Sequence, residues 1–195
     1  DLPTYYNICE ILEHNLEHRG DKIALLSENG SFTFREVSEQ VNRVGNALIR
    51  SGLRFGECVA ILCPDRPEWV SVFFATAKIG GVALGLNTLL KTDEYDYILK
   101  DARVKVLVVH DSLKALVEPI IKKHDTLIKV ITVTDNKSIK CTTFTDWIDE
   151  EKSELDSATT HREDFCSLHY SSGTTGVPKG VLHMHKDYPL IAQLS

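Results

Sequence analysis

A doubly wound α/β fold, with a largely parallel sheet and helices on both faces, follows from three features of the sequence. Short apolar runs alternate with amphipathic segments from about Glu57 to Thr134, as repeated strand–helix units require. The run Val104-Lys-Val-Leu-Val-Val-His110 is nearly continuous in apolar residues, as in a strand covered on both faces. Glycine pairs and prolines, such as Gly80-Gly81 and Pro64-Asp-Arg-Pro67, fall between these segments and punctuate them.

The elements are expected in this order. Residues 7–18 carry Ile8, Ile11, Leu12 and Leu16 at helical spacing, and Gly20 ends that helix. Lys22–Ser27 and Ser31–Phe34 flank Asn29-Gly30, a strong hairpin signal. Thr33 and Glu36 form a capping box for a helix that buries Val37, Val41, Val44, Leu48 and Ile49 and stops at Gly52. Strand Glu57–Cys63, helix Glu68–Ile79 and strand Val82–Leu86 follow. Thr92 is expected to cap a helix to Asp101, then come strand 104–110, helix Ser112–His124 with a kink at Pro119, and strand Lys129–Thr134. Residues 135–164 are polar, with Phe144, Trp147, Ile148 and Leu155 as the sizeable apolar anchors, and read as a surface connection with one short helix. Phe165–Tyr170 and Val181–His185 resume strand character.

With 195 residues, 43% of them hydrophobic, the chain can bury a core of its own. A net charge of −6 argues against nucleic acid or an anionic membrane as the main partner, and no apolar run approaches a membrane span. The five cysteines are scattered and odd in number, which predicts reduced core thiols and a cytoplasmic location.

Tyr170-Ser-Ser-Gly-Thr-Thr-Gly-Val-Pro-Lys-Gly-Val181 holds the most chemistry. Glycines allow close backbone approach, hydroxyl and N–H groups donate to phosphate oxygens, and lysine adds a point charge. A Walker loop is excluded. Pro178 precedes Lys179, Gly180 follows it, and the next residues read as a strand instead of a helix. The bland alternative is a Gly/Ser/Thr-rich surface turn.

The order Ser-Ser-Gly-Thr-Thr-Gly-x-Pro-Lys-Gly resembles the signature loop of the adenylate-forming superfamily, which includes acyl- and aryl-CoA synthetases, luciferases and peptide-synthetase adenylation domains. Ser31-Phe-Thr-Phe-Arg-Glu-Val37 and Ala77-Lys-Ile-Gly-Gly-Val-Ala83 extend the resemblance along the chain. Asn87-Thr-Leu-Leu90, Tyr95–Asp101 and Val181-Leu-His-Met-His185 are most similar to the benzoate-CoA ligase type. The resemblance implies a ligase that joins a carboxylic acid, benzoate-like and aromatic, to CoA through an acyl-adenylate, with ATP, Mg²⁺ and CoA. It implies that Ser171, Ser172, Gly173, Thr174, Thr175, Gly176, Lys179 and Gly180 bind the nucleotide, Lys179 being the catalytic residue, and it assigns no metal ligand. Two alternatives stay open: a medium-chain fatty acyl-CoA synthetase, and a non-catalytic nucleotide-binding or interaction module.

Residues 1–195 are thus expected to form the N-terminal part of an adenylation domain ending just after loop 170–181, and to be inactive alone. The missing initiator methionine and the absence of the family's later ribose-binding and C-terminal lysine segments support that expectation. Surface normally buried in a whole enzyme makes a partner chain, such as a second copy, an expectation too. His183 and His185 are expected on one strand face, lining the nucleotide or acyl region along with His169. Trp69, Phe73 and Phe74 are expected in the helix core.

Overall fold

The structure, a computed structural model, describes residues 2–28, 30–136, 141–171 and 178–194. In chain order the elements are α1 (Glu10–Glu13), α2 (Leu16–Arg19), β1 (Ile23–Ser27), β2 (Gly30–Thr33), α3 (Phe34–Arg50), β3 (Cys58–Leu62), α4 (Pro67–Lys78), β4 (Val82–Gly85), α5 (Thr92–Asp101), β5 (Val106–His110), α6 (Asp111–Ile121), β6 (Lys129–Val133), α7 (Phe144–Ile148), β7 (Phe165–Ser171), β8 (Lys179–Met184) and α8 (Asp187–Leu194). The expected doubly wound α/β architecture is present. A six-stranded sheet runs in the order β6-β5-β3-β4-β7-β8, parallel throughout except for β8, which returns antiparallel along β7. Strands β1 and β2 form a separate antiparallel hairpin.

Side-chain alternation divides each apolar run between two cores. Val59, Ile61, Val106, Val108, Ile131 and Val133 face one layer, which contains α3, α4 and α7. Ala60, Leu62, Leu84, Leu107 and Val109 face the other, built on α5 and α6. All five cysteines are free thiols, and burial pushes those of Cys58, Cys63 and Cys166 up to about 12. They are therefore protonated and inert at neutral pH.

Local chemistry fixes the helix ends. Thr33 Oγ1 accepts the Glu36 N–H at 3.2 Å while Glu36 accepts the Thr33 N–H at 2.8 Å, so the capping box is formed. Pro67 opens α4 at its first residue. Gly80 sits at φ 78°, where a Cβ would run into the Phe55 ring. Lys78 is buried and holds three elements together. Its Nζ lies 2.6 Å from Glu13 Oε1 of α1 and 2.6 Å from Asn42 Oδ1 of α3. The desolvation of that ammonium is offset because both partners are within hydrogen-bond range.

Several expectations needed correction. The helix over 7–18 is two short turns, because Asn7 Nδ2 donates to the carbonyls of Ala77 (3.0 Å) and Lys78 (3.3 Å) and pins the chain across the end of α4. Ile49 is half exposed, since α3 packs with a narrower stripe than its apolar residues offer. The α5 cap is Lys91, extended at ψ 165°, whose N–H donates to Glu94 at 2.9 Å; Thr92 is already helical. Helix α6 ends at Ile121, short of His124, whose ring turns back to Asp96 at 2.9 Å.

The connection 135–164 is more than surface. Phe144 and Trp147 are buried, and Asn42, Arg43 and Asn46 of α3 donate to carbonyls of Ser153, Glu151, Lys152 and Glu154. Polar side chains on a helix read as solvent-facing, yet here they satisfy an otherwise unpaired backbone. Asn29 lies outside the described residues.

Candidate functional site

The sheet order locates the site. The chain leaves β3 through residues 63–66 toward α4 on one face, and leaves the adjacent β4 through 86–91 toward α5 on the opposite face. Loops that diverge from neighbouring parallel strands leave a crevice at their carboxyl ends. A cleft of about 560 Å³ opens there, lined by Cys63 to Asp65, Trp69, Gly85 to Thr88, and His169 and Tyr170 from β7. Trp69 stacks on Phe73 at 5.4 Å and reaches across to Gly85, where a Cβ would stand 3.0 Å from the indole. Phe73 is core, as expected, whereas Trp69 is half-buried and forms cleft wall.

The hairpin β7–β8 sits at the same end of the sheet. Ser171 pairs with Lys179 and Tyr170 with Gly180, so the ladder closes directly beneath the glycine-rich loop. Lys179 is exposed and makes no ion pair with any other described residue. Ser171 and Pro178 border a smaller cavity of about 80 Å³ with Asn87 and Glu94. Ser172, Gly173, Thr174, Thr175 and Gly176 lie outside the described residues.

Gly180 has a packing reason for being glycine. A Cβ there would come within 3.0 Å of Leu168 Cδ1 and 3.3 Å of the Tyr170 ring, and its φ lies outside the left-handed region. Tyr170 in turn donates its hydroxyl to Asp101 at the end of α5 over 2.5 Å. Burial, then the Asp101 carboxylate, raises the Tyr170 phenol above its ordinary range and keeps it protonated.

Beside the cleft lies a polar and aromatic wall. Ser167 Oγ and Tyr188 OH are 2.7 Å apart, and His169 Nε2 approaches both, at 3.4 and 3.5 Å. His169 meets His183 edge-on at 5.4 Å, and Tyr188 meets Phe73 at 5.9 Å. Burial and the neighbouring His183 lower the His169 pKa, so its ring is neutral at pH 7.

The expected pairing of His183 with His185 does not occur. Strand β8 ends at Met184, and His185 turns inward, fully buried, to accept the Ile8 N–H at Nδ1 over 3.0 Å. Its Nε2 has no hydrogen-bond partner among the described residues, and burial depresses its pKa to about 4. The sequence reading missed α8 and with it Tyr188. The available signal was Asp187-Tyr-Pro189, an acidic residue and a proline in a first helical turn.

No three His, Cys, Asp or Glu side chains among the described residues gather into a metal-binding group. No helix among the described residues is long and apolar enough to cross a membrane.

The AMP-binding enzyme family profile matches residues 12–194. The chain belongs to this family. A benzoate–CoA ligase of Thauera aromatica is 32% identical over 99% of the chain and 37% of its own length. The solved structure of an anthranilate CoA ligase in complex with anthranoyl-AMP is 50% identical and superposes with a TM-score of 0.96, over all of this chain and 38% of that one. ATP-bound MatB from Rhodopseudomonas palustris is 26% identical with a TM-score of 0.84, covering 97% of this chain and 37% of that one. The chain thus spans a little over a third of the length of the relatives it matches. The resemblance to benzoate-type ligases and the α/β fold both stand on these matches.

Proposed function

We propose that this chain takes part in the ATP-dependent activation of an aromatic carboxylic acid to an acyl-adenylate and then to its CoA thioester. Residues 1–195 supply the first part of the adenylation domain. The observation that carries the proposal is the β7–β8 register, which sets Ser171 against Lys179 one residue beyond Tyr170 of the cleft wall. Relatives acting on benzoate and anthranilate favour an aromatic acid over a medium-chain fatty acid.

In the first step a carboxylate oxygen attacks the α-phosphorus of ATP, the bond from that phosphorus to the bridging oxygen breaks, and pyrophosphate leaves. The CoA thiol then attacks the acyl carbon and AMP departs. Such transfers depend on positioning and charge neutralisation. Lys179 stabilises the charge that grows on the departing pyrophosphate. The hydroxyls of Ser171, Ser172, Thr174 and Thr175 and the N–H groups of Gly173, Gly176 and Gly180 are the proposed donors to its oxygens. Mg²⁺ would supply further charge neutralisation on the phosphates.

The test is acid-dependent exchange of labelled pyrophosphate into ATP by a full-length protein containing this segment, across benzoate, substituted benzoates and medium-chain fatty acids. Exchange with aromatic acids supports the proposal, and a lack of exchange with every acid defeats it. Residues 1–195 alone are expected to form no acyl-AMP.

A further inference from the structure

His169 occupies an unusual place for a polar ring. It stands on the cleft wall two residues before Ser171, on the strand that leads into the glycine-rich loop. Its Nε2 is turned toward the Ser167–Tyr188 hydroxyl pair, while its Nδ1 has no hydrogen-bond partner among the described residues. The ring is only part-buried and lines the cleft. The hydroxyl pair is short at 2.7 Å, and either member can be the donor, whereas both contacts to His169 are long. That arrangement leaves the tautomer adjustable. When Nε2 accepts from a hydroxyl, Nδ1 carries a proton and donates; when Nε2 donates, Nδ1 accepts.

We propose that His169 is a specificity-determining residue that reads a hydrogen-bonding substituent, amino or hydroxyl, on the ring of the aromatic acid through Nδ1. The inference rests on the function proposed above and deepens it. The cleft suits a planar acid, since the Trp69 indole lines it together with the imidazole and is backed by Phe73, whose ring in turn meets Tyr188. An unsubstituted or aliphatic acid packed there would strip water from Nδ1 and return no partner. A site built to hydrogen-bond a substituent rejects the analogue lacking it far more strongly than an apolar pocket rejects a missing methylene. Ser167 and Tyr188 act through His169 and are positioning residues.

The experiment compares kcat/KM for pyrophosphate exchange with ortho-aminobenzoate, para-hydroxybenzoate, benzoate and octanoate in the full-length protein. The wild type is expected to prefer at least one substituted benzoate over benzoate by about 10- to 100-fold. In His169→Leu that preference collapses, benzoate and octanoate gain relative to it, and the KM for ATP is unchanged. His169→Gln, which keeps a hydrogen-bonding atom, restores part of the preference. Tyr188→Phe, which keeps the ring volume, reduces it. Equal losses on all acids in His169→Leu, or a preference that survives it, overturn the inference and leave the ligase reading intact. Absence of exchange with any acid in the wild type overturns both.

Discussion

Tyr170 donates its hydroxyl to Asp101 across 2.5 Å and so ties the strand entering the glycine-rich loop to the last turn of α5. The tether joins the sheet to the helix layer on its second face at the base of the loop. Tyr170→Phe should lower stability by about 1 kcal/mol, in line with a single partly exposed hydrogen bond. Its pH dependence has a defined sign. The phenol is raised above its unfolded value near ~10, so its contribution is complete below that pH and fades as pH climbs through the folded value. Urea midpoints for wild type and variant should therefore converge in strong alkali and differ at neutral pH.

Gly180 faces the same tyrosine across the β7–β8 ladder. Gly180→Ala forces the Tyr170 ring or Leu168 to move by a few tenths of an ångström. We expect destabilisation of about 1 kcal/mol, the low end of overpacking costs, because the strand is exposed at this point. Combining it with Tyr170→Ala, which removes the ring, should recover most of the loss in urea unfolding if that contact is the cause.

Lys179→Ala in the full-length protein should slow pyrophosphate exchange by about 10- to 100-fold, the equivalent of one charge-assisted hydrogen bond lost in the transition state. The KM for the acid should change much less. An exchange rate equal to wild type would remove Lys179 from the reaction.

His185 predicts an acid-sensitive core. Its folded pKa, about 4, lies below the unfolded value near ~6.5, so the neutral ring favours the folded state above pH 6.5. That stability is lost as pH falls toward 4, as protonation would place a charge in the core and displace the Ile8 N–H from Nδ1. His185→Asn should be less stable at pH 7 and show a flatter decline in urea midpoint between pH 6.5 and 4.

Much of this was legible in the sequence for identifiable reasons. The capping box at Thr33 and Glu36, the hairpin turn, and the strands β3, β5 and β6 depend on neighbours within a few residues or on simple alternation. The helix over 7–18 failed because Asn7 answers to Ala77 and Lys78, distant in sequence. In the connection 135–164 the anchors Phe144 and Trp147 were legible, whereas the hydrogen bonds to its backbone carbonyls were not, because they have no signature in composition. His183 and His185 were misjudged because period-two alternation stops where a strand stops, and β8 stops at Met184.

The sequence by itself determined the doubly wound class, the glycine-rich loop and its departure from the Walker pattern, since each is written in local order and residue type. Only the tertiary structure decided what stands beside the strand that leads into that loop. It brought Trp69 from α4, Gly85 from the end of β4 and His169 from β7 to one crevice. It also gave Gly180 a role under the Tyr170 ring, and turned His185 away from His183 into the core. Those placements follow from strand order and close packing, which act between residues far apart in the chain.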